Sequence, residues 1–147
     1  MRIAYKIGSD NEYGTTKLFL DAFKKQATDL GFSFIEDIKQ ADGLFIFTPV
    51  HWFGTPHKLK CFIDNELHDL EGQNFECEEK LFGAFAYAPE GGAELVLAQL
   101  ALMATQMGFT IPPYSLIYYR GTEKDKWAKD FSYTLSMWAK LLQAPHE

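Results

Sequence analysis

Most of the marks of a specialised protein are missing from this sequence. Cysteine is scarce: Cys61 and Cys77 are the only two in 147 residues. They form no CxxC and have no partners at metal-ligand spacing, so neither a disulfide framework nor a zinc site is expected. His51, His57 and His68 match neither HExxH nor HxH, and no metal is expected from them. There is no basic tract, and the formal charge is −6, which argues against nucleic acid or an anionic membrane surface as partner. The opening MRIAYKIGSD shows no apolar h-region. The longest apolar segment, LVLAQLALMATQMGF at 95–109, carries two glutamines and is too short for a membrane span. A cytoplasmic protein with reduced thiols is expected. The GK[ST] ending of a Walker loop, the GxGxxG fingerprint and the GxSxG elbow are all absent, which removes P-loop, dinucleotide-fold and Ser-His-Asp hydrolase readings.

What is present is enough apolar residue, 47% against 23% charged, to bury a core without staples. The length fits one domain, residues 1–147. Two periodicities alternate along it. Ile3 to Ile7 reads as a strand. A helix then begins at Thr15 or Thr16, either able to cap it, with apolar positions at Phe19, Phe23, Ala27 and Leu30 and a stop at Gly31. Phe32 to Ile35 is a brief second strand. Gly43 to Thr48 is a third, apolar at nearly every position, as a strand covered on both faces must be.

Pro56 opens a helix carrying Leu59, Phe62, Ile63, Leu67 and Leu70 on one side. On it, Asp64 and His68 are spaced to form a surface pair. Leu81 to Ala88 is another apolar strand, and Gly91 to Met107 a helix ended by Gly108. The last strand falls within Phe109 to Tyr119, but Pro112 and Pro113 require it to be short, broken or at a sheet edge. A final helix starts at Thr122, with Asp125 as a capping-box partner and a stripe of Trp127, Phe131, Leu135, Trp138 and Leu142. Such alternation predicts a doubly wound α/β domain with a parallel sheet.

Ligands of such sheets sit beyond the carboxyl ends of the strands, where strand order reverses. Three loops there stand out. In the first, GSDNEYGTT at 8–16, Ser9, Asn11, Tyr13, Gly14, Thr15 and Thr16 stand before a helix N-terminus that is able to hold a phosphate. Taken alone, a capped helix after a polar turn explains them better, since Asp10 and Glu12 weigh against a phosphate and no arginine stands by. In the second, Thr48-Pro49-Val50-His51-Trp52-Phe53-Gly54, the aromatics either pack on the following helix or face a flat apolar ligand. In the third, Tyr87-Ala88-Pro89-Glu90-Gly91-Gly92, the glycines either allow close ligand approach or make a tight turn. No general acid or base is assigned among these residues. Cys61 reads as a small core or helix-surface residue, not a nucleophile.

Taken together, these residues resemble the flavodoxin-like superfamily and, within it, the NAD(P)H-dependent FMN reductases. The family's GS…GNT phosphate loop is matched by Gly8-Ser9 and Gly14-Thr15-Thr16. Its TPVYW…G…LKxFID signature is matched by Thr48, Pro49, Val50, Trp52, Gly54, Leu59, Lys60, Phe62, Ile63 and Asp64, with His51 in place of the tyrosine. Its GG loop is matched by Gly91, Gly92 and Glu94. The likeness runs over most of residues 2 to 110. It implies a five-stranded sheet of order 2-1-3-4-5 in a three-layer α/β/α domain. It also implies FMN, with its phosphate in loop 8–16 and its ring against loops 48–54 and 87–92. NAD(P)H as co-substrate, a quinone, flavin or other small-molecule electron acceptor, and a homodimer follow by the same analogy. A flavodoxin-type electron carrier and a non-enzymatic binding module without FMN are the two alternatives.

Overall fold

The computed structural model describes residues 1–9, 14–72, 77–121 and 126–144. Strands β1 (Arg2–Ile7), β2 (Ser33–Phe34), β3 (Gly43–Pro49), β4 (Leu81–Tyr87) and β5 (Leu116–Tyr119) form one sheet in the order β2-β1-β3-β4-β5. Every pairing is parallel. This is the expected doubly wound topology, and its strand order reverses between β1 and β3.

The helices divide by face. Helices α1 (Thr15–Asp29) and α5 (Lys126–Gln143) cover one side; α2 (His57–Phe62), α3 (His68–Gly72) and α4 (Ala93–Gln106) cover the other. Alternation along β3 sends Leu44 and Ile46 to the α2–α4 side and Phe45 and Phe47 to the α1–α5 side. The α1–α5 layer is aromatic: Phe23 lies 4.5 Å from Phe45, 5.1 Å from Phe47 and 5.3 Å from Phe131, ring centre to ring centre. Bulky rings there leave no room for side chains at two strand positions. A Cβ on Gly43 would meet Trp138 at 2.6 Å, and one on Gly83 would meet the Phe45 ring at 2.5 Å.

Two helix ends share one solution. Gly31, at φ 93°, lets its N–H reach the Thr28 carbonyl and the Phe32 N–H reach that of Ala27. Gly108, at φ 95°, repeats this with Thr105 and Ala104. Both are Schellman stops, each carrying its following phenylalanine into the core.

The structure corrects several boundaries. The N-cap of α1 is Gly14, not a threonine; Thr15 is the first helical residue and Thr16 is buried. Pro56 is itself the N-cap of α2, in an extended conformation, and its carbonyl accepts from Lys60 N–H. α4 begins at Ala93, because Gly91 and Gly92 both hold positive φ. The single helix expected after Pro56 contains a π-helical turn, Ile63–Leu67, between α2 and α3. Bonding from i to i+5 there moves the neighbour of Asp64 away from His68, and Asp64 pairs instead with Lys60 at 2.8 Å. The prolines act as expected: Thr110 makes an isolated bridge to Leu81, and only Leu116–Tyr119 joins the sheet, at its edge. The capping pair Thr122 and Asp125 lies outside the described residues.

Candidate functional site at the carboxyl rim of the sheet

Backbone hydrogen bonds tie the three rim loops together. Gly8 N–H donates to the Phe47 carbonyl at 2.7 Å, Val50 N–H to Tyr87 at 3.2 Å, and Ala88 N–H to Tyr119 at 3.0 Å. Gly8 must be glycine, since a Cβ would fall 2.3 Å from Thr48 Oγ1 and 3.2 Å from Leu59 Cβ. The first loop is thus pressed against the start of the second.

The second loop is a tight hairpin. His51 and Gly54 exchange both backbone hydrogen bonds, at 3.0 and 2.9 Å, leaving Trp52 and Phe53 as the two turn residues. Their φ values are 49° and 61°, the sign pattern of a type I′ turn, which ordinarily recruits Asn-Gly. Two bulky residues in the left-handed region cost on the order of 1–3 kcal/mol each. No burial offsets this at Trp52, which is 97% exposed, and Phe53 is 58% exposed. Packing of Trp52 on the following helix, one of the two readings of this loop, is therefore ruled out. Backbone strain holds an indole outward.

The third loop meets the hairpin. A Cβ on Gly92 would lie 2.9 Å from Phe53 Cα, so that glycine lets the aromatic turn settle onto the loop. Gly91, at φ 101°, has nothing within 4 Å of the same position, and its N–H donates to the Ala88 carbonyl at 3.2 Å. Between the two loops is a cavity of about 340 Å³ lined by Val50, Trp52, Phe53, Ala88, Pro89, Glu90 and Gly91. That volume is at the lower end for small-molecule sites, and its walls are the Trp52–Phe53 turn and the Ala88–Gly91 loop.

The other expected residues fall around this cavity. His51 is exposed on the hairpin, and Gly54 closes it. Thr48 is buried, its hydroxyl donating to the Pro49 carbonyl at 2.8 Å, and neither residue lines the cavity. Tyr87 points to the opposite side of the sheet, 5.6 Å from Phe19 and 5.8 Å from Tyr119. Ser9, Gly14, Thr15 and Thr16 lie at the β1–α1 junction, and α1 carries no acidic residue in its first turn. Asn11 and Tyr13 lie outside the described residues.

Two charged groups on this rim were not singled out in the sequence. Lys58 Nζ donates to the Ser9 carbonyl at 3.1 Å, reaching from α2 to the loop after β1. Arg120, past the end of β5, contacts Glu94 at 2.6 Å and holds that carboxyl below its ordinary pKa by hydrogen bonding. The signal for both was topological. Parallel strands β1 and β3 put the start of α2 beside the first loop, and β5 ends beside the start of α4. Elsewhere, Cys61 Sγ lies 3.4 Å from His57 Nε2 on the outer face of α2. His68 lines a separate 410 Å³ hollow between the π-helical turn and α4. Among the described residues there is no metal-ligating cluster of three or more, and no helix is long and apolar enough to cross a membrane.

Comparison with known proteins agrees with the fold. No curated protein matches the chain. Among solved structures it is similar to RosB with the bound intermediate 8-demethyl-8-formylriboflavin-5′-phosphate: TM-score 0.79, 12% identity, 96% of this chain and 78% of that one. It is also similar to a flavodoxin, WrbA-like protein from Agrobacterium tumefaciens, with TM-score 0.75 and 17% identity over 98% of each chain. An oxidoreductase from Corynebacterium diphtheriae gives TM-score 0.70 and 16% identity, again over 98% of each. At these identities the likeness shows the fold. A family model described as flavodoxin-like fold, Flavodoxin_2, matches residues 9–136, and the chain belongs to that family.

Proposed function

We propose that this protein is an FMN-dependent oxidoreductase that takes a hydride from NAD(P)H and reduces a quinone, a flavin or a similar small acceptor. The observation that carries the reading is the Trp52–Phe53 turn. Two aromatic residues are held in left-handed conformations, outward, with Phe53 against Gly92 of the third loop. Strain of this kind is retained where it serves a ligand. The residues present fit a flavin nucleotide: aromatic and apolar walls for a flat ring, and hydroxyls at a helix N-terminus for a phosphate.

When bound, FMN supplies reversible hydride and electron transfer. The chain's own contribution is position and charge. Trp52 and Phe53 offer faces for the ring. In loops 48–54 and 87–92 the N–H groups of Val50, His51, Gly54, Ala88 and Gly91 are bonded within the protein; the remaining N–H groups there, outside the strands, would face developing negative charge. Ser9, Thr15 and Thr16, with Asn11 and Tyr13 of the same loop, are the donors for the phosphate. We also assign the protein to the cytoplasm as a homodimer. The exposed Leu95 and Leu102 of α4, whose first turn holds Glu94 as its acidic residue, form the apolar strip a second copy would cover.

The net charge of −6 favours a second reading, a one-electron carrier that docks a basic redox partner. Mixing the FMN-loaded protein with NADH or NADPH under nitrogen separates the two. Rapid loss of flavin colour supports the reductase. Colour that persists with either nucleotide but is lost with a redox partner protein moves the assignment to the carrier. Failure to take up FMN leaves a binding module on the same fold.

A further inference from the structure

The first rim loop has a charge problem that its own residues do not solve. A phosphomonoester carries close to two negative charges at neutral pH, while residues 8–16 contain Asp10 and Glu12 and no basic residue. Nearby ammonium groups are committed elsewhere: Lys6 to Glu66 at 3.0 Å, Lys17 to Asp21 at 3.5 Å and Lys60 to Asp64 at 2.8 Å. Lys58 differs. It is exposed, comes from the first turn of α2, and crosses to the loop after β1, where its Nζ donates to the Ser9 carbonyl at 3.1 Å. A carbonyl neutralises none of its charge. An ammonium has three donors, so others stay available beside Ser9.

We propose that Lys58 is the phosphate counter-charge of this site and the residue that makes it select FMN over riboflavin. The inference rests on the flavin reading above and adds to it a cation supplied from a different element of the fold. The i,i+2 arrangement separates the two lysines of the turn: Lys60 is held by Asp64 along the helix, and Lys58 is left to face the loop.

The test is a fluorescence titration of the full-length protein, and of Lys58→Gln and Lys58→Glu, with FMN and separately with riboflavin. The unaltered protein should bind FMN more tightly than riboflavin. Lys58→Gln should lose about tenfold in FMN affinity, the scale of one hydrogen bond to a charged group, and Lys58→Glu more. Riboflavin affinity should change less than about twofold in both, because that ligand has no charge to lose. Equal losses for the two flavins would make Lys58 a prop for the Ser9 loop and overturn the proposal, as would no loss for FMN. If the unaltered protein binds riboflavin as tightly as FMN, the flavin reading stands and the selectivity claim falls. If it binds neither, both fall.

Discussion

Trp52 shows how a single residue separates stability from function. Its side chain is almost fully exposed and its φ is positive, so it contributes strain to the fold and little packing. Asparagine tolerates the left-handed region far better. Trp52→Asn should therefore raise stability by about 0.5–1 kcal/mol in urea unfolding. It should also weaken FMN binding roughly five- to tenfold, the worth of one aromatic stacking contact. A variant that is less stable would refute the strain assignment. The two thiols form a second contrast. Cys77 is fully buried, and burial pushes its pKa up against a smaller opposing pull from Lys80. The folded state therefore keeps this proton longer than the unfolded chain does. The stability it contributes is complete below the unfolded thiol's pKa, about 8.5, and is lost as pH climbs toward the folded value. Cys77→Ala should thus show a shallower alkaline decline above about pH 8.5 than the unaltered protein. Parallel slopes would remove Cys77 from the account. The aromatic loop was legible in the sequence, because Trp-Phe beside Pro49 suits no ordinary connection. Its turn geometry was not, since nothing local in Trp-Phe asks for positive φ.

At the scale of elements, the broken strand before α5 is the informative case. Pro112 and Pro113 take the chain out of the sheet, and the structure recovers order at Ser115, whose carbonyl accepts from Ala84 N–H at 2.8 Å. The Ser115 hydroxyl accepts from Trp138 Nε1 at 2.9 Å, and both residues are buried. This bond fastens α5 to the start of β5. Trp138→Phe keeps an aromatic ring but loses part of the buried indole's volume and leaves the Ser115 hydroxyl without its donor. It should cost at least about 1–3 kcal/mol for the lost bond, with a cavity cost added, read as a lower midpoint in thermal unfolding. An unchanged midpoint would show that the bond does not secure the edge. Helix ends were readable where glycine set them, at Gly31 and Gly108. The start of α1 was misread because two threonines look like caps, whereas Gly14 holds the cap position. The π-helical turn had no sequence signal. Leu59, Phe62, Ile63, Leu67 and Leu70 fit an unbroken α-helical period, and only tertiary packing distinguishes the two.

For the whole molecule, apolar strands alternating with amphipathic helices were enough to anticipate a doubly wound parallel sheet. Its 2-1-3-4-5 order was implied by the resemblance to the flavodoxin-like superfamily and is the order observed. The same topology brings three loops to one rim, so the candidate site could be named from residues following β1, β3 and β4. Lys58 and Arg120 escaped notice because their roles depend on which strands are neighbours in space, which no local pattern encodes. The central claim is that this rim holds a flavin nucleotide against Trp52. Titrating the purified protein with FMN, while following tryptophan emission and flavin emission together, tests it most directly. Trp52 is exposed, whereas Trp138 is buried and Trp127 half-buried, so the solvent-exposed part of the tryptophan signal reports on Trp52. The account predicts saturable loss of both emissions at one equivalent of FMN, with the tryptophan change absent in Trp52→Asn. Tryptophan emission that does not change as FMN is added, or FMN uptake with an identical tryptophan change in Trp52→Asn, would contradict it.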